Sequence, residues 1–252
     1  MPLRRLFPEP GWPAAVDRLV LAEVDSTMAE AQRRLPGLIQ PTWVLALRQT
    51  AGRGRRGRAW SDPEGNFAAT LALRLDEPPG RLALRSFVAA LALRQALVSL
   101  GVAEAALALK WPNDVLLNGG KLSGILLESP GQGALLLGIG VNLRQAPPAE
   151  PGAAFPPVSL LGETGLVVTP QTLLAHLAPA FDEWEQRLRV YGFAPLRDGF
   201  LRHAARLGEP LIARLHSGEI HGIFDTIDDT GALILRGPQG RVSVPAADIF
   251  FP

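Results

Sequence analysis

The chain has 252 residues, 47% of them hydrophobic, with 25 basic and 24 acidic side chains. That is long enough for one substantial core and a small second domain. The lack of cysteine excludes disulfides and thiolate metal sites, and a net charge of +1 gives no whole-molecule case for nucleic-acid binding.

The N-terminus carries Arg4 and Arg5 but no apolar signal region, and no apolar run reads as a bilayer span. A soluble, cytoplasmic protein is therefore expected. His176, His203, His216 and His221 have no metal-ligand spacing and read as ordinary core or surface histidines. Only Lys110 and Lys121 are lysines; arginine serves everywhere else. Two lysines so close together point to places where a compact ammonium is needed.

Residues 1–17 are Pro-rich and read as a loosely attached lead. Arg18–Val24 is strand-like. Thr27-Met-Ala-Glu30 matches a capping box and opens a short helix to about Leu35, with Ser26 and Thr27 as its caps. Trp43–Gln49 and Asn66–Leu75 read as strands. Arg81–Leu100 has helical periodicity and stops at Gly101. Ala106–Trp111 is a short strand ended by Pro112. Val115–Asn118 and Lys121–Glu128 flank Asn118-Gly-Gly120, a hairpin signal. Ala134–Leu143 is another strand, and residues 145–158 form a surface loop. Pro170 opens a helix to about Leu188, and Pro195–Arg206 a further one. From Gly208 onward, Pro210–Leu215, Glu219–Thr226, Ala232–Leu235 and Arg241–Val244 are short strands. They make a small all-β module that needs docking against the main domain. Hairpins mixed with helices give an α/β (α+β) fold and argue against a Rossmann sheet.

Two stretches carry chemistry. In Gln49–Trp60, Gly52, Gly54 and Gly57 alternate with Arg53, Arg55, Arg56 and Arg58. Glycines let backbone amides form an anion-binding nest, and arginines add forked donors for phosphate or carboxylate. The loop reads as a cationic clamp for a phosphorylated ligand, or as an Arg-Gly segment that binds RNA or is solvated. It is not a P-loop, because no Gly-Lys-Ser/Thr follows. The second stretch is Lys110-Trp-Pro-Asn-Asp114 with Gly120-Lys-Leu-Ser-Gly-Ile-Leu126.

Together with Asp25-Ser-Thr and Gly138-Ile-Gly-Val-Asn142, these stretches resemble the biotin protein ligases. The resemblance covers about residues 20–145, in the family's order, and continues more weakly to the C-terminus. It implies a catalytic domain over 18–206 whose mixed sheet and flanking helices are similar to class II aminoacyl-tRNA synthetases. It further implies an SH3-like β-barrel over 207–252. The implied activity joins biotin to ATP as biotinyl-5′-AMP, with magnesium on the phosphates. Biotin then passes to a lysine of the biotin carboxyl carrier protein of acetyl-CoA carboxylase.

By the same resemblance Ser26, Thr27 and Gln49 bind the biotin head, whose ureido ring needs both donors and acceptors. Gly52, Arg53, Gly54, Arg55, Lys121 and Gly124 hold biotin and the adenylate. Arg53, Arg55, Trp60, Lys110, Asn113 and Asn142 serve ATP. Trp60 reads as an adenine neighbour or a core anchor. Lys121 and Arg55 supply catalytic charge, and Asp114 contacts magnesium or takes the proton of the incoming lysine. Where the family has Asn after Ser-Thr, this chain has Met28.

A lipoate ligase is the alternative enzyme; the polar Ser26, Thr27 and Gln49 set suits a ureido ring better than a dithiolane. A nucleic-acid-binding module is the alternative from another class, but the loop lacks interleaved aromatics for stacking. About twenty residues precede Ser26, too few for a helix-turn-helix, so no DNA binding is expected. No membrane partner is expected, and the oligomeric state is left open, a homodimer included.

Overall fold

Strands buried on both faces dominate the middle of the chain, and their alternation decides which side carries the site. In the computed structural model, which describes residues 11–54, 57–131, 133–150, 153–215, 218–245 and 248–250, seven strands form one mixed sheet. They are β1 (Asp17–Leu21), β2 (Thr42–Ala46), β3 (Phe67–Arg74), β4 (Leu107–Lys110), β5 (Asp114–Leu117), β6 (Gly120–Gly131) and β7 (Ala134–Val141). Their order is β1-β2-β3-β7-β6-β5-β4. Only β1 and β2 run parallel, joined across α1 (Thr27–Arg34); the other pairs are antiparallel.

Successive strand residues point to opposite faces. Phe67, Ala69, Leu71 and Leu73 of β3, with Leu135, Leu137, Ile139 and Val141 of β7, enter the main core. That core is completed by α3 (Arg85–Ser99), α5 (Pro170–Tyr191) and α6 (Ala194–Arg202). The opposite face meets α1 at one end, where Met28, Ala31 and Leu35 pack on Val44, Ala72 and Leu136. Met28 is thus a core side chain, 3% exposed. The rest of that face is lined by small residues.

Beyond the sheet, α4 (Leu160–Thr164) precedes α5, and the C-terminal strands are β8 (Pro210–Leu215), β9 (Gly218–Ile227), β10 (Leu233–Gly237), β11 (Gly240–Val244) and β12 (Asp248–Phe250). They form an antiparallel sheet ordered β11-β10-β9-β8-β12. Leu211, Phe224, Leu233 and Leu235 belong to the same core cluster as the main domain. The Trp111 indole N–H donates to the Gly231 carbonyl at 3.0 Å. The small module is docked, as expected from its size.

Several expected bounds shift. The Arg18–Val24 and Trp43–Gln49 strands are shorter, and the trailing residues keep only a Val24–Gln49 bridge. The helix expected over Arg81–Leu100 is broken at Leu84 into α2 (Pro79–Ala83) and α3. The Pro79–Ser99 stretch is long and apolar enough to cross a membrane, contrary to the reading that no run is. Its window is 72% buried, however, which is the condition of a central core helix. Ser26 occupies the N-cap position of α1 but makes no side-chain cap bond. Residues 11–16 are not a loose lead, since Trp12 and Val16 pack on the core. The short α4, capped by Ser159 and ended by Gly165 at φ 72°, escaped the sequence reading, as did β12. The expected hairpin is in place, with positive φ at Asn118 (49°) and Gly119 (79°) as a type I′ turn demands.

Candidate active site

The strand registers place one row of residues across the sheet on the α1 side. Ala46 pairs with Ala68, Ala68 with Gly140, Gly140 with Gly124, Gly124 with Asp114 and Asp114 with Lys110. The adjoining row runs Val44, Thr70, Gly138, Leu126. Small side chains in the middle of both rows leave a trough over the sheet. A Cβ on Gly138 would stand 2.8 Å from Met28 Cε, and one on Gly140 only 2.3 Å from Trp60 Cε2. The Trp60 indole therefore lies on the glycine floor, where no larger residue fits. Its buried Nε1 has no partner.

One end of the trough is neutral and polar. Thr50 and Ala51 donate backbone N–H groups to the carbonyls of Val24 and Asp25, so the Asp25–Thr27 and Gln49–Ala51 segments run side by side. Gln49 Oε1 accepts from the Thr27 backbone N–H (2.8 Å) and hydroxyl (3.1 Å), and the Thr70 hydroxyl donates to Thr27 Oγ1 at 2.9 Å. Thr27 is the first helical residue rather than the cap, and its hydroxyl is engaged across the sheet. Ser26 and Thr27 are buried, 4% and 5% exposed. Outside the trough Asp25 pairs with Arg33 through both oxygens, at 2.9 and 2.7 Å, which holds its carboxyl well below the usual carboxylate range.

The other end is charged. Lys110 and Lys121 approach the same carboxylate: Lys121 Nζ lies 2.8 Å from Asp114 Oδ1, and Lys110 Nζ 3.5 Å from Oδ2. A bulge makes this possible. Leu116 pairs with Lys121 while Val115 pairs with Ser123, so β6 carries an extra residue there. Lys121 and Gly124, three apart, consequently share a face, and a Cβ on Gly124 would stand 3.8 Å from Lys121 Nζ. The Lys121 side chain is 36% exposed and faces the trough. Residues 156–158 are not a free surface loop. The Pro156 carbonyl accepts from Lys121 N–H and Val158 N–H returns a bond to the Lys121 carbonyl, at 2.8 and 3.0 Å.

The Gly-Arg loop closes over this face as a narrow hairpin. Arg53 bridges Ala59, Gly54 N–H donates to the Arg58 carbonyl (2.8 Å), and Trp60 N–H donates to the Gly52 carbonyl (2.9 Å). Gly54 thus spends its amide inside the loop rather than in the expected anion nest. A Cβ at Gly52 would meet the Trp60 carbonyl at 2.8 Å, so the narrow neck requires glycine. Arg55, expected to be catalytic, and its neighbour Arg56 lie outside the described residues.

Residues 20–144 match the family model described as biotin/lipoate A/B protein ligase, and 207–251 that of the biotin protein ligase C terminal domain. A biotin–[acetyl-CoA-carboxylase] ligase of Paracoccus denitrificans is 59% identical over 239 residues, which span 92% of this chain and 99% of that protein. The chain belongs to the biotin protein ligase family. A bifunctional ligase/repressor of Bacillus subtilis is 33% identical over 82% of this ligase and 65% of its own length. Among solved structures, the biotin protein ligase of Aquifex aeolicus in complex with biotin and ATP superposes with a TM-score of 0.80 at 26% identity, covering 94% of this chain and 99% of that one.

Within this ligase the structure brings Thr27, Gln49, Gly124, Lys110, Asp114, Lys121 and Trp60 to one face. Asn113 and Asn142, expected at the nucleotide, each spend a side-chain N–H on the backbone. Asn113 Nδ2 donates to the Ile125 carbonyl at 2.6 Å, and Asn142 Nδ2 to the Val158 carbonyl at 3.1 Å. Asp114, the residue expected to contact magnesium, has an ammonium group facing each of its two oxygens. Among the described residues no cluster of three carboxylate or imidazole ligands exists, so the ion has no protein cage. The sequence reading missed Asp62, whose Oδ2 accepts from Gln49 N–H at 3.1 Å, and Thr70. Neither lies in a recognisable motif; only strand register and burial bring them to the site.

Proposed function

We propose that the chain is an ATP-dependent biotin protein ligase acting on the biotin carboxyl carrier protein of acetyl-CoA carboxylase. The observation that carries this reading is the trough, with hydroxyl and amide groups at one end and an ammonium at the other on a floor of small residues. Biotin has the same polarity: a neutral ureido ring and a carboxylate at the end of an aliphatic chain. The full-length likeness to the Paracoccus ligase supports the same assignment.

In the first step a biotin carboxylate oxygen bonds to the α-phosphorus of ATP, and pyrophosphate leaves. The carboxylate is ionised at neutral pH and needs no general base. The obstacle is the approach of one anion to another, so catalysis consists of alignment and charge neutralisation. Lys121 stands where both anions converge, and Asp114 holds its ammonium ready. Arg53 supplies further charge from the loop. Any magnesium comes with the triphosphate. In the second step the ε-amine of the carrier lysine attacks the acyl carbon and AMP leaves. The C-terminal sheet serves the carrier or the nucleotide rather than the biotin pocket, because every group of the neutral end precedes residue 71.

Biotin-dependent exchange of labelled pyrophosphate into ATP tests the assignment. The expected result is exchange with biotin and none with lipoate. Exchange with lipoate alone would transfer the chain to the lipoate ligases, and exchange with neither would remove it from both.

Trp60 has a testable place in this scheme. Gly140→Ala puts a methyl group within 2.6 Å of three indole atoms, so the ring must leave the floor. Nucleotide affinity should fall by roughly tenfold, the value of a stacked aromatic contact, while biotin affinity changes less. Equal losses for both ligands would take Trp60 out of the nucleotide site.

A further inference from the structure

Gln49 can recognise a ureido group only if the right end of its amide faces the ligand. Its oxygen has both lone pairs committed, to the backbone N–H and the hydroxyl of Thr27. That leaves the NH₂ group as the end offered elsewhere. Turning the amide over would set the NH₂ against the Thr27 N–H, donor against donor, and an amide of this kind is held by its network alone.

Asp62 completes that network from the far side of the loop. Its Oδ2 accepts from the Gln49 backbone N–H at 3.1 Å. The Gln49 side-chain amide also lies near enough to this carboxyl to favour its charged form. Asp62 Oδ1 is buried without a partner among the described residues. Nearby, a Cβ at Gly52 would come within 3.0 Å of Gln49 Nε2, so the amide is confined. Gln49 is the residue before the loop's entry and Asp62 follows its exit at Trp60, so this contact also ties the two stems together.

We propose that Asp62 is a positioning residue that fixes which end of the Gln49 amide faces biotin. A carboxylate accepts hydrogen bonds and donates none. It therefore attracts the Gln49 NH₂ and repels the Gln49 oxygen, which forbids the turned-over amide. The role rests on the ligase reading given above and adds to it the group that sets the donor pattern.

The charge of this group is sensitive to pH. Burial pushes the Asp62 carboxyl up to about 6, opposed by the Gln49 backbone N–H and side-chain amide. Above that pH the group is an acceptor only. As pH falls through about 6 it takes a proton, and the bare Oδ1 is the atom placed to receive it. The acid then tolerates either face of the Gln49 amide, and only the Thr27 backbone N–H still opposes the turned-over form. The folded-state value lies above the ordinary 3.8, so protonation favours folding; weaker biotin binding at low pH would not be incipient unfolding.

Asp62→Asn keeps size and shape but offers either a donor or an acceptor. Biotin-dependent pyrophosphate exchange should show a KM for biotin raised by on the order of tenfold at pH 8, as for a lost charge-assisted bond, with kcat within about twofold. The wild-type KM should rise as pH falls through about 6, and the same step should be missing in Asp62→Asn. Asp62→Ala, compared with wild type for unfolding midpoint, separates positioning from folding: its KM rises although the chain stays folded. A wild-type chain with exchange but an Asp62→Asn KM within twofold, or the same pH step in both proteins, would overturn the role. A wild-type chain without exchange would overturn the ligase reading itself.

Discussion

Lys121→Arg is expected to slow biotinyl-AMP formation by on the order of a hundredfold or more, the size of effect when alignment is lost and charge kept. The bulge in β6 places the Lys121 ammonium 2.8 Å from Asp114 Oδ1, on the trough face. As a compact point charge, the ammonium can turn from that carboxylate toward two substrate oxygens and keep a donor for each. A guanidinium at this position would meet Asp114 fork to fork, the strongest arrangement open to it. It would then stay on Asp114 with its plane fixed, and the attacking carboxylate would lose its in-line path. Transfer from pre-formed biotinyl-AMP should suffer less, since attack on phosphorus is already over. Single-turnover measurements of the two half-reactions decide it. Near wild-type adenylation in the variant would reduce Lys121 to an ordinary hairpin cation.

Arg85→Ala should cost about 3–5 kcal/mol of stability, the range for removing one partner of a buried ion pair. Arg85 is 0% exposed at the start of α3. Its guanidinium reaches Glu77 Oε1 at 3.0 Å, Glu185 Oε1 at 2.8 Å and the Arg81 carbonyl at 2.9 Å. Truncation leaves two carboxylates facing each other, with only the exposed Arg81 still 3.7 Å from Glu77. Replacing all three by apolar residues of similar volume should recover most of the loss, because desolvation offsets the attraction in such clusters. Denaturant unfolding of the two variants separates these outcomes; equal losses would mean that shape, not charge, is what the position requires. Arg85 also holds the Glu77 carboxyl below its ordinary 4.5. A depressed carboxylate contributes stability that is complete above 4.5 and lost as pH falls through the folded-state value. The wild-type acid transition should therefore contain a component below pH 4.5 that is absent from Arg85→Ala.

Much of the sheet was legible because local signals agree with the fold. Asn118-Gly-Gly120 specifies its hairpin through positive φ, and Asn66–Leu75 and Ala134–Leu143 read as strands from their apolar runs. The parallel β1–β2 pair was not legible, since the partner of a short strand depends on tertiary packing. Nor was the break at Leu84, which lies within one stretch of helical periodicity. Lys121, Gln49 and Thr27 stood out through motif and residue rarity, but their partners did not. The ion pairs of Asp114 were not legible, because its neighbour in register, Lys110, and the bulge that delivers Lys121 are facts of pairing rather than of spacing. The backbone bonds of Asn113 and Asn142 were not legible either, because an amide in a motif gives no sign of whether a backbone carbonyl already claims it. Asp62 gave no signal at all. An Asp-Pro pair after a tryptophan reads as a turn, and its significance comes from burial against Gln49.

The rarity of lysine has a practical outcome. Lys110 and Lys121 are the only side-chain amines in the sequence, and both border Asp114. An amine-directed acylating reagent therefore has no decoys elsewhere among the side chains. Lys121, at 36% exposed, is open to it, while Lys110, at 14%, is screened. The unaltered protein thus carries its own footprinting reporter. The mass of the Lys121 peptide records whether the trough is empty or filled, and its degree of labelling at rising ligand concentration traces a binding curve without a mutation or an attached dye.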